Sequence, residues 1–303
     1  MFPQRTPRFE AYIAPAKPYC EIWRLQAGIV VLAVTYFTGI AVVFALSGAL
    51  LALASGDIQR ASQILWDFSK PTGMVILFLT FGGATIGTGL AAKWFHKRSF
   101  RTLIAPDFSV LGIHAFKAVH IIFPVFTVFF LIGLWASPPS QNMDFFTWIA
   151  WMPMALPLLL LQTSTEEIVF RGYLQQQLAA RFKSRWMWMV LPSALFGLLH
   201  YEPTELGPNA WLAVVDAGFI GFVAADMTAR TGNLGAAIVF HFVNNFFALF
   251  LVSINGPMTG FALYVSTFSM SDTAEVANLL VLDIATNAIL YFVYARIMTR
   301  RGL

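Results

Sequence analysis

The chain has 303 residues, of which 58% are hydrophobic and 11% charged, with a formal net charge of +4 and a mean hydropathy of +0.70. A soluble globular domain carries about a quarter charged residues, so this composition excludes a soluble fold and describes a membrane-embedded one. The single cysteine, Cys20, excludes an intramolecular disulfide and a cysteine-based metal cluster and reads as an inert thiol beside the membrane.

The first 24 residues are polar and carry prolines; the apolar run after them is too long for a signal peptide, so a retained first span is expected. A spanning helix needs about 20 predominantly apolar residues. Eight segments qualify: 26–54, 72–92, 115–136, 145–168, 187–200, 210–228, 234–254 and 276–297, the fifth being the shortest. In the second, "GGATIGTGL" (Gly82–Leu90) supplies small residues that let helices approach closely. Trp148 and Trp151 near the start of the fourth segment, and Trp186 and Trp188 at the fifth, suit an interfacial aromatic belt. Of the 19 basic residues, only Arg60 and Lys70 fall on the side opposite the N-terminus. Because Lys and Arg collect in cytoplasmic loops, the reading is an all-α, polytopic integral membrane bundle of about eight transmembrane helices. Both termini are then cytoplasmic, and residues 1–303 form one membrane domain. Topology accounts for the net charge, and no nucleic-acid partner is called for.

Ionisable groups inside a span cost about 2.5–3.5 kcal/mol each on insertion scales, so those that persist are informative. The stretch "LLLLQTSTEEIVFRGYL" (Leu158–Leu174) places Glu166 and Glu167 side by side, about 100° apart on a helix. Glu167 and Arg171 stand at i,i+4 with the acid first, the favourable order for a helical ion pair. Glu166 then points elsewhere, and a partly desolvated carboxylate there can take a proton from water. His200 closes "FGLLH", one turn after Phe196, and His241 and Asn245 share a helix face in "HFVNN". An imidazole and a carboxamide on one face can both donate hydrogen bonds to a developing oxyanion. Singly, each has a plainer reading: an interfacial charge cluster, a hydrogen-bonded structural histidine, a polar packing pair. Asp216 and Asp226, and Asp283 with Asn287, read as interhelical contacts; Glu202 and Glu205 read as solvated loop residues; His114 and His120 have no matched partners.

Taken in order, the patterns are EExxxR at Glu166, Glu167 and Arg171, FxxxH at Phe196 and His200, and HxxxN at His241 and Asn245, within about 80 residues. With the flanking "RGYL" and "TGNLGAAIVFHFVNN", residues 145–255 resemble the catalytic core of the CPBP family of intramembrane proteases. That family includes CAAX prenyl endopeptidases and bacterial bacteriocin-processing and immunity relatives. The resemblance implies an intramembrane endopeptidase acting on a membrane-associated or lipidated peptide, a prenylated CAAX tail being one family substrate. Glu166 would be the general base that activates a water, with His200 helping to position or deprotonate it. His241 and Asn245 would stabilise the oxyanion, while Glu167 and Arg171 order the site and Phe196 supports it. No cofactor is required on this reading, and HExxH is absent. If a divalent metal such as zinc is used, Glu166, His200 and His241 would hold it, since a catalytic zinc takes three protein ligands and a water. The implied partners are membrane lipid and the peptide substrate, and the location is the cell membrane, the inner one if the source is bacterial.

Two other classes compete. A non-catalytic relative acting as an immunity or scaffold protein is expected to have lost one of the motif residues, and none is missing. A transporter using the acids as a proton relay often shows repeat symmetry, and none is visible. One tension remains in the segment limits. At 1.5 Å per residue, His241 lies about 10 Å and His200 about 20 Å from the inner ends of their segments, whereas Glu166 lies at the inner boundary. They meet only if the fifth segment starts short, tilts or kinks, or if the fourth sits deeper.

Overall fold

In hydrocarbon an unpaired backbone amide finds no water, so long apolar runs must be helices. The structure is a computed structural model that describes residues 5–300, with side chains as far as residue 298. Its helices are α1 (Pro7–Ile13), α2 (Ile22–Ser55), α3 (Ile58–Trp66), α4 (Pro71–His96), α5 (Phe108–Ala136) and α6 (Phe145–Arg181). They continue with α7 (Trp186–Leu198), α8 (Ala210–Thr231), α9 (Gly235–Leu251) and α10 (Thr273–Arg300). The expected all-helical membrane fold is therefore present. Six helices are long and apolar enough to cross a membrane, while α7 and α9, at the fifth and seventh places, are shorter.

Local sequence sets the ends. Asp107 and Asp144 cap α5 and α6 through their side chains, satisfying amides that a helix start leaves free. Gly56 and Gly232 end α2 and α8 in the left-handed conformation, which glycine adopts without penalty. The glycines of "GGATIGTGL" do what their size allows: a Cβ on Gly83 would meet backbone of Gly39 and Thr35 on α2 at about 3 Å.

The two ends of the bundle differ. At the basic end, α1 lies across the helix termini. Arg5 donates to the carbonyls of Ala179 (2.8 Å) and Phe182, Thr6 to Ala229 (2.9 Å), and the Tyr12 hydroxyl to Leu103 (2.5 Å). Phe9 and Tyr12 belong to a core that includes Phe170, Tyr173, Trp188 and Phe196. At the opposite end a three-stranded sheet, which the sequence reading did not anticipate, replaces loop. Strands β1 (Ser140–Gln141), β2 (Val252–Asn255) and β3 (Tyr264–Ser269) run in the order β1-β3-β2. β1 pairs antiparallel and β2 parallel with β3.

Several expectations need correction. The fourth segment does not end at 168. α6 continues through a π-helical stretch, Ile168–Gln175, to Arg181, so Glu167 lies about 21 Å before its end at 1.5 Å per residue. Arg171 is consequently a core residue rather than an inner-loop charge. Trp188 is buried against Phe9, with ring centroids 5.0 Å apart. Trp148 is also buried and donates to the carbonyls of Phe250 and Phe261 at 3.1 Å. Neither belongs to an interfacial belt. Arg301, counted among the inner charges, lies outside the described residues.

Trp188→Ala removes a buried aromatic from the seat of α1. It is expected to lower stability by about 3–5 kcal/mol, read as a lower melting temperature in detergent. A belt tryptophan would tolerate the change.

Candidate active site

Leu159 to Leu174 carries the acids of α6 into the bundle interior, where α7, α8 and α9 close around them. Glu167 and Arg171 form the ion pair their spacing predicts, Nη1 to Oε1 at 2.9 Å, with side chains 1% and 2% exposed. The other guanidinium arm, Nη2, donates to the carbonyl of Gly221 on α8 at 2.8 Å. A Cβ at residue 221 would stand 3.1 Å from that nitrogen, so glycine's lack of a side chain is used here.

His241 of α9 sits between the two glutamates. Its Nδ1 lies 2.8 Å from Glu167 Oε1 and its Nε2 lies 3.4 Å from Glu166 Oε2. Because a carboxylate only accepts, Nδ1 is assigned as the donor to Glu167, and Nε2 is turned toward Glu166. Glu166, 19% exposed, is the open member of the pair. Its Oε1 accepts from Gln162 Nε2 at 2.8 Å, and Gln162 Oε1 in turn accepts from Asn245 Nδ2 at 3.0 Å. Gln162 thus ties the first motif to the third. It was missed in the sequence, although it stands at i−4 from Glu166 inside a leucine run, the same spacing that revealed Glu167 and Arg171. Thr165, beside Glu166, is joined to Thr85 of α4 at 2.5 Å.

Phe196 of α7 is buried, with the Arg171 guanidinium 4.8 Å from its ring. His200 and His241 both pack on that ring, at centroid distances of 4.9 and 5.8 Å. His200 is exposed and its Nδ1 lies 2.9 Å from the Phe196 carbonyl, which leaves Nε2 as the free ring nitrogen. So Glu166, Glu167, Arg171, His241 and Asn245 are joined by direct contacts or through Gln162, and Phe196 packs on them. Among the described residues His200 makes no direct contact with either glutamate and reaches the group through the Phe196 ring.

The remaining polar residues lie elsewhere. Asp226 is held by Arg230 (2.5 Å) and Tyr291 (2.9 Å), and Asp216 faces Asp283 between α8 and α10. His114, unmatched in the sequence, bonds Asn233 at 2.7 Å. Of the set named for a metal, Glu166 and His241 stand together at 3.4 Å while His200 packs on Phe196; among the described residues no group of three His, Cys, Asp or Glu side chains is gathered about one point.

Residues 147–247, the segment that carries all three motifs, match the model of the family described as "Type II CAAX prenyl endopeptidase Rce1-like". A Bacillus subtilis protein described as "Uncharacterized protein YyaK" is 26% identical over 257 residues, covering 82% of this chain and 84% of the relative. No solved structure matches the chain. The family resemblance is thereby shown for this segment. Together with six apolar helices among the described residues, the match supports a multi-pass membrane protein, and the family matched by this segment points to function of the intramembrane protease kind.

Removing the cation alone should damage the fold. Arg171→Met leaves Glu167 buried without its partner and is expected to lower stability by about 3–5 kcal/mol. The double variant Glu167→Gln/Arg171→Met, which removes both charges, should recover much of that loss in the same detergent melting assay.

Proposed function

We propose that this protein is an intramembrane endopeptidase that hydrolyses a peptide bond of a membrane-associated or lipidated substrate at a site open to the cytoplasm of the cell. The observation that supports this most is the pairing of Glu166 with His241 at 3.4 Å beside a neighbouring carboxylate already occupied by Arg171. Glu166 takes a proton from water, whose oxygen attacks the scissile carbonyl. The oxyanion is met by Asn245, through the amide hydrogen that Gln162 does not use, and by His241 in its doubly protonated form, with Nδ1–H donating to Glu167 and Nε2–H to the oxyanion. Glu166 then returns its proton to the leaving amine as the C–N bond breaks. Glu167 fixes the orientation of His241, as a carboxylate behind an imidazole does in hydrolytic triads. His200, with Nε2 free and one ring away from His241, assists in positioning the water. The chain's own side chains suffice for these steps, so the reaction runs without a bound metal. Both termini face the cytoplasm, in keeping with the basic end where α1 and the helix termini gather.

Glu166→Gln should abolish cleavage of membrane peptides by the purified protein while leaving its melting temperature near that of the parent. Asn245→Ala should lower kcat about 10²–10³-fold, the usual effect of losing one oxyanion donor, and chelator should leave the parent rate unchanged. Unaltered cleavage by Glu166→Gln would refute the role of Glu166, and loss of activity on chelation would refute the metal-free route.

A further inference from the structure

A groove of about 890 Å³ runs along the outside of α4 at the basic end, apart from the Glu166–His241 pair. Its lining includes three cations, Lys93, Lys97 and Arg98, the apolar side chains of Ile86, Leu90 and Phe100, and Thr85. Ile86 is 60% exposed, as suits an apolar surface covered by an acyl chain.

The cationic part of the lining is built for an anion. Arg98 is only 7% exposed, yet its Nε and Nη2 have no hydrogen-bond partner; Nη1 alone is used, donating to Gln176. Among the described residues neither Arg98, Lys93 nor Lys97 forms an ion pair. A buried cation with two orphaned donors is expensive unless something pairs with it. Burial pushes the Arg98 guanidinium down to about 10, with only the phenols of Tyr12 and Tyr173 offsetting it. Lys97 adds a second, independent sign. It is the non-glycine residue at positive φ, +53°, ending α4 in the left-handed conformation where glycine is usual. A lysine in this conformation carries backbone strain that a glycine would not, and its amino group stands at the groove beside Arg98.

We propose that this groove binds an anionic phospholipid, its phosphate held by Arg98, Lys97 and Lys93 and one acyl chain lying on Ile86, Leu90 and Phe100. Three cations in a groove that also holds apolar side chains match a headgroup and tail together, as basic pockets between membrane helices do on the cytoplasmic side. Thr85, which also lines the groove, is hydrogen-bonded to Thr165 next to Glu166, so the lipid would lie beside the helix that carries the acids. The inference does not depend on proteolysis, and its test uses no activity.

The purified protein in detergent is titrated with phosphatidylglycerol, phosphatidylcholine or inorganic phosphate, and adducts are read by native mass spectrometry. Melting temperature is followed in parallel. Phosphatidylglycerol should be retained one to one and phosphatidylcholine should not. Lys97→Gly, which relieves the left-handed lysine, should melt no lower than the parent without lipid yet bind phosphatidylglycerol about fivefold more weakly. Adding Lys93→Gln should bring the loss to roughly 25-fold. Unchanged phosphatidylglycerol affinity in the double variant, or equal retention of phosphatidylcholine, overturns the proposal. Full protection by inorganic phosphate alone overturns the lipid assignment in favour of a free anion.

Discussion

A carboxylate buried to 1% exposure inside an apolar bundle is the constraint from which the rest of the centre follows. Glu167 cannot be left alone there, because an unpaired buried charge is among the most destabilising features a protein can carry. It is met from two sides, by Arg171 one turn along its own helix and by His241 on α9. Each partner brings a neighbour with it. Arg171 draws α8 in through the Gly221 carbonyl and seats its guanidinium on Phe196 of α7. One buried acid therefore fixes the mutual placement of α6, α7, α8 and α9. This is the way a buried polar group contributes specificity even where its net contribution to stability is small.

The consequence for Glu166 is geometric. One residue along a helix is a rotation of about 100°, so locking Glu167 inward turns Glu166 toward the side that is partly open. The two acids, chemically alike, are divided by environment: one is consumed by structure, the other keeps Oε2 without a hydrogen-bond partner among the described residues. Gln162 sets the rotamer of Glu166 from one turn back and passes the constraint to Asn245. A carboxylate, an imidazole and a carboxamide thus come from two helices with few freely rotating bonds between them.

Much of this was legible in the sequence, and the failures have physical reasons. Apolar runs with no charge to interrupt them located α2, α4, α8 and α10 within about four residues at each end, whereas α5 begins seven residues before the expected start; i,i+4 spacing identified Glu167 with Arg171. The end of α6 was misplaced because "RGYLQQQLAAR" is polar, and polarity was read as exit from lipid. Its glutamines are in fact buried: Gln175 donates to the Ala225 carbonyl at 3.0 Å and Gln176 to that of Thr102 at 3.0 Å. Polar side chains satisfied by backbone of a neighbouring helix look like a loop in one dimension. Trp188 was misassigned for a related reason, since nothing local shows that α1 folds back over it. The sheet was missed because β2 and β3 pair with strands distant in sequence or across a connection that has no hairpin turn signature.

The brevity of α7 and the access of water to the centre are one fact. At 1.5 Å per residue α7 rises about 20 Å, short of the roughly 30 Å of hydrocarbon, and ends at Leu198, about half a turn beyond Phe196. The chain that follows carries His200, Glu202 and Glu205 in irregular backbone and single turns, such as the His200 amide bonded to the Gly197 carbonyl at 2.9 Å. Irregular polar backbone at membrane depth is tolerated only where it is buried in protein or lines a wet cavity, and His200 is exposed. If that segment lies within the membrane, the same rule brings water to the level of His200, whose ring packs on Phe196 as that of His241 does. The depth that set Glu166 apart from the inner boundary is matched by a helix that stops partway, and the hydrolytic reading needs both.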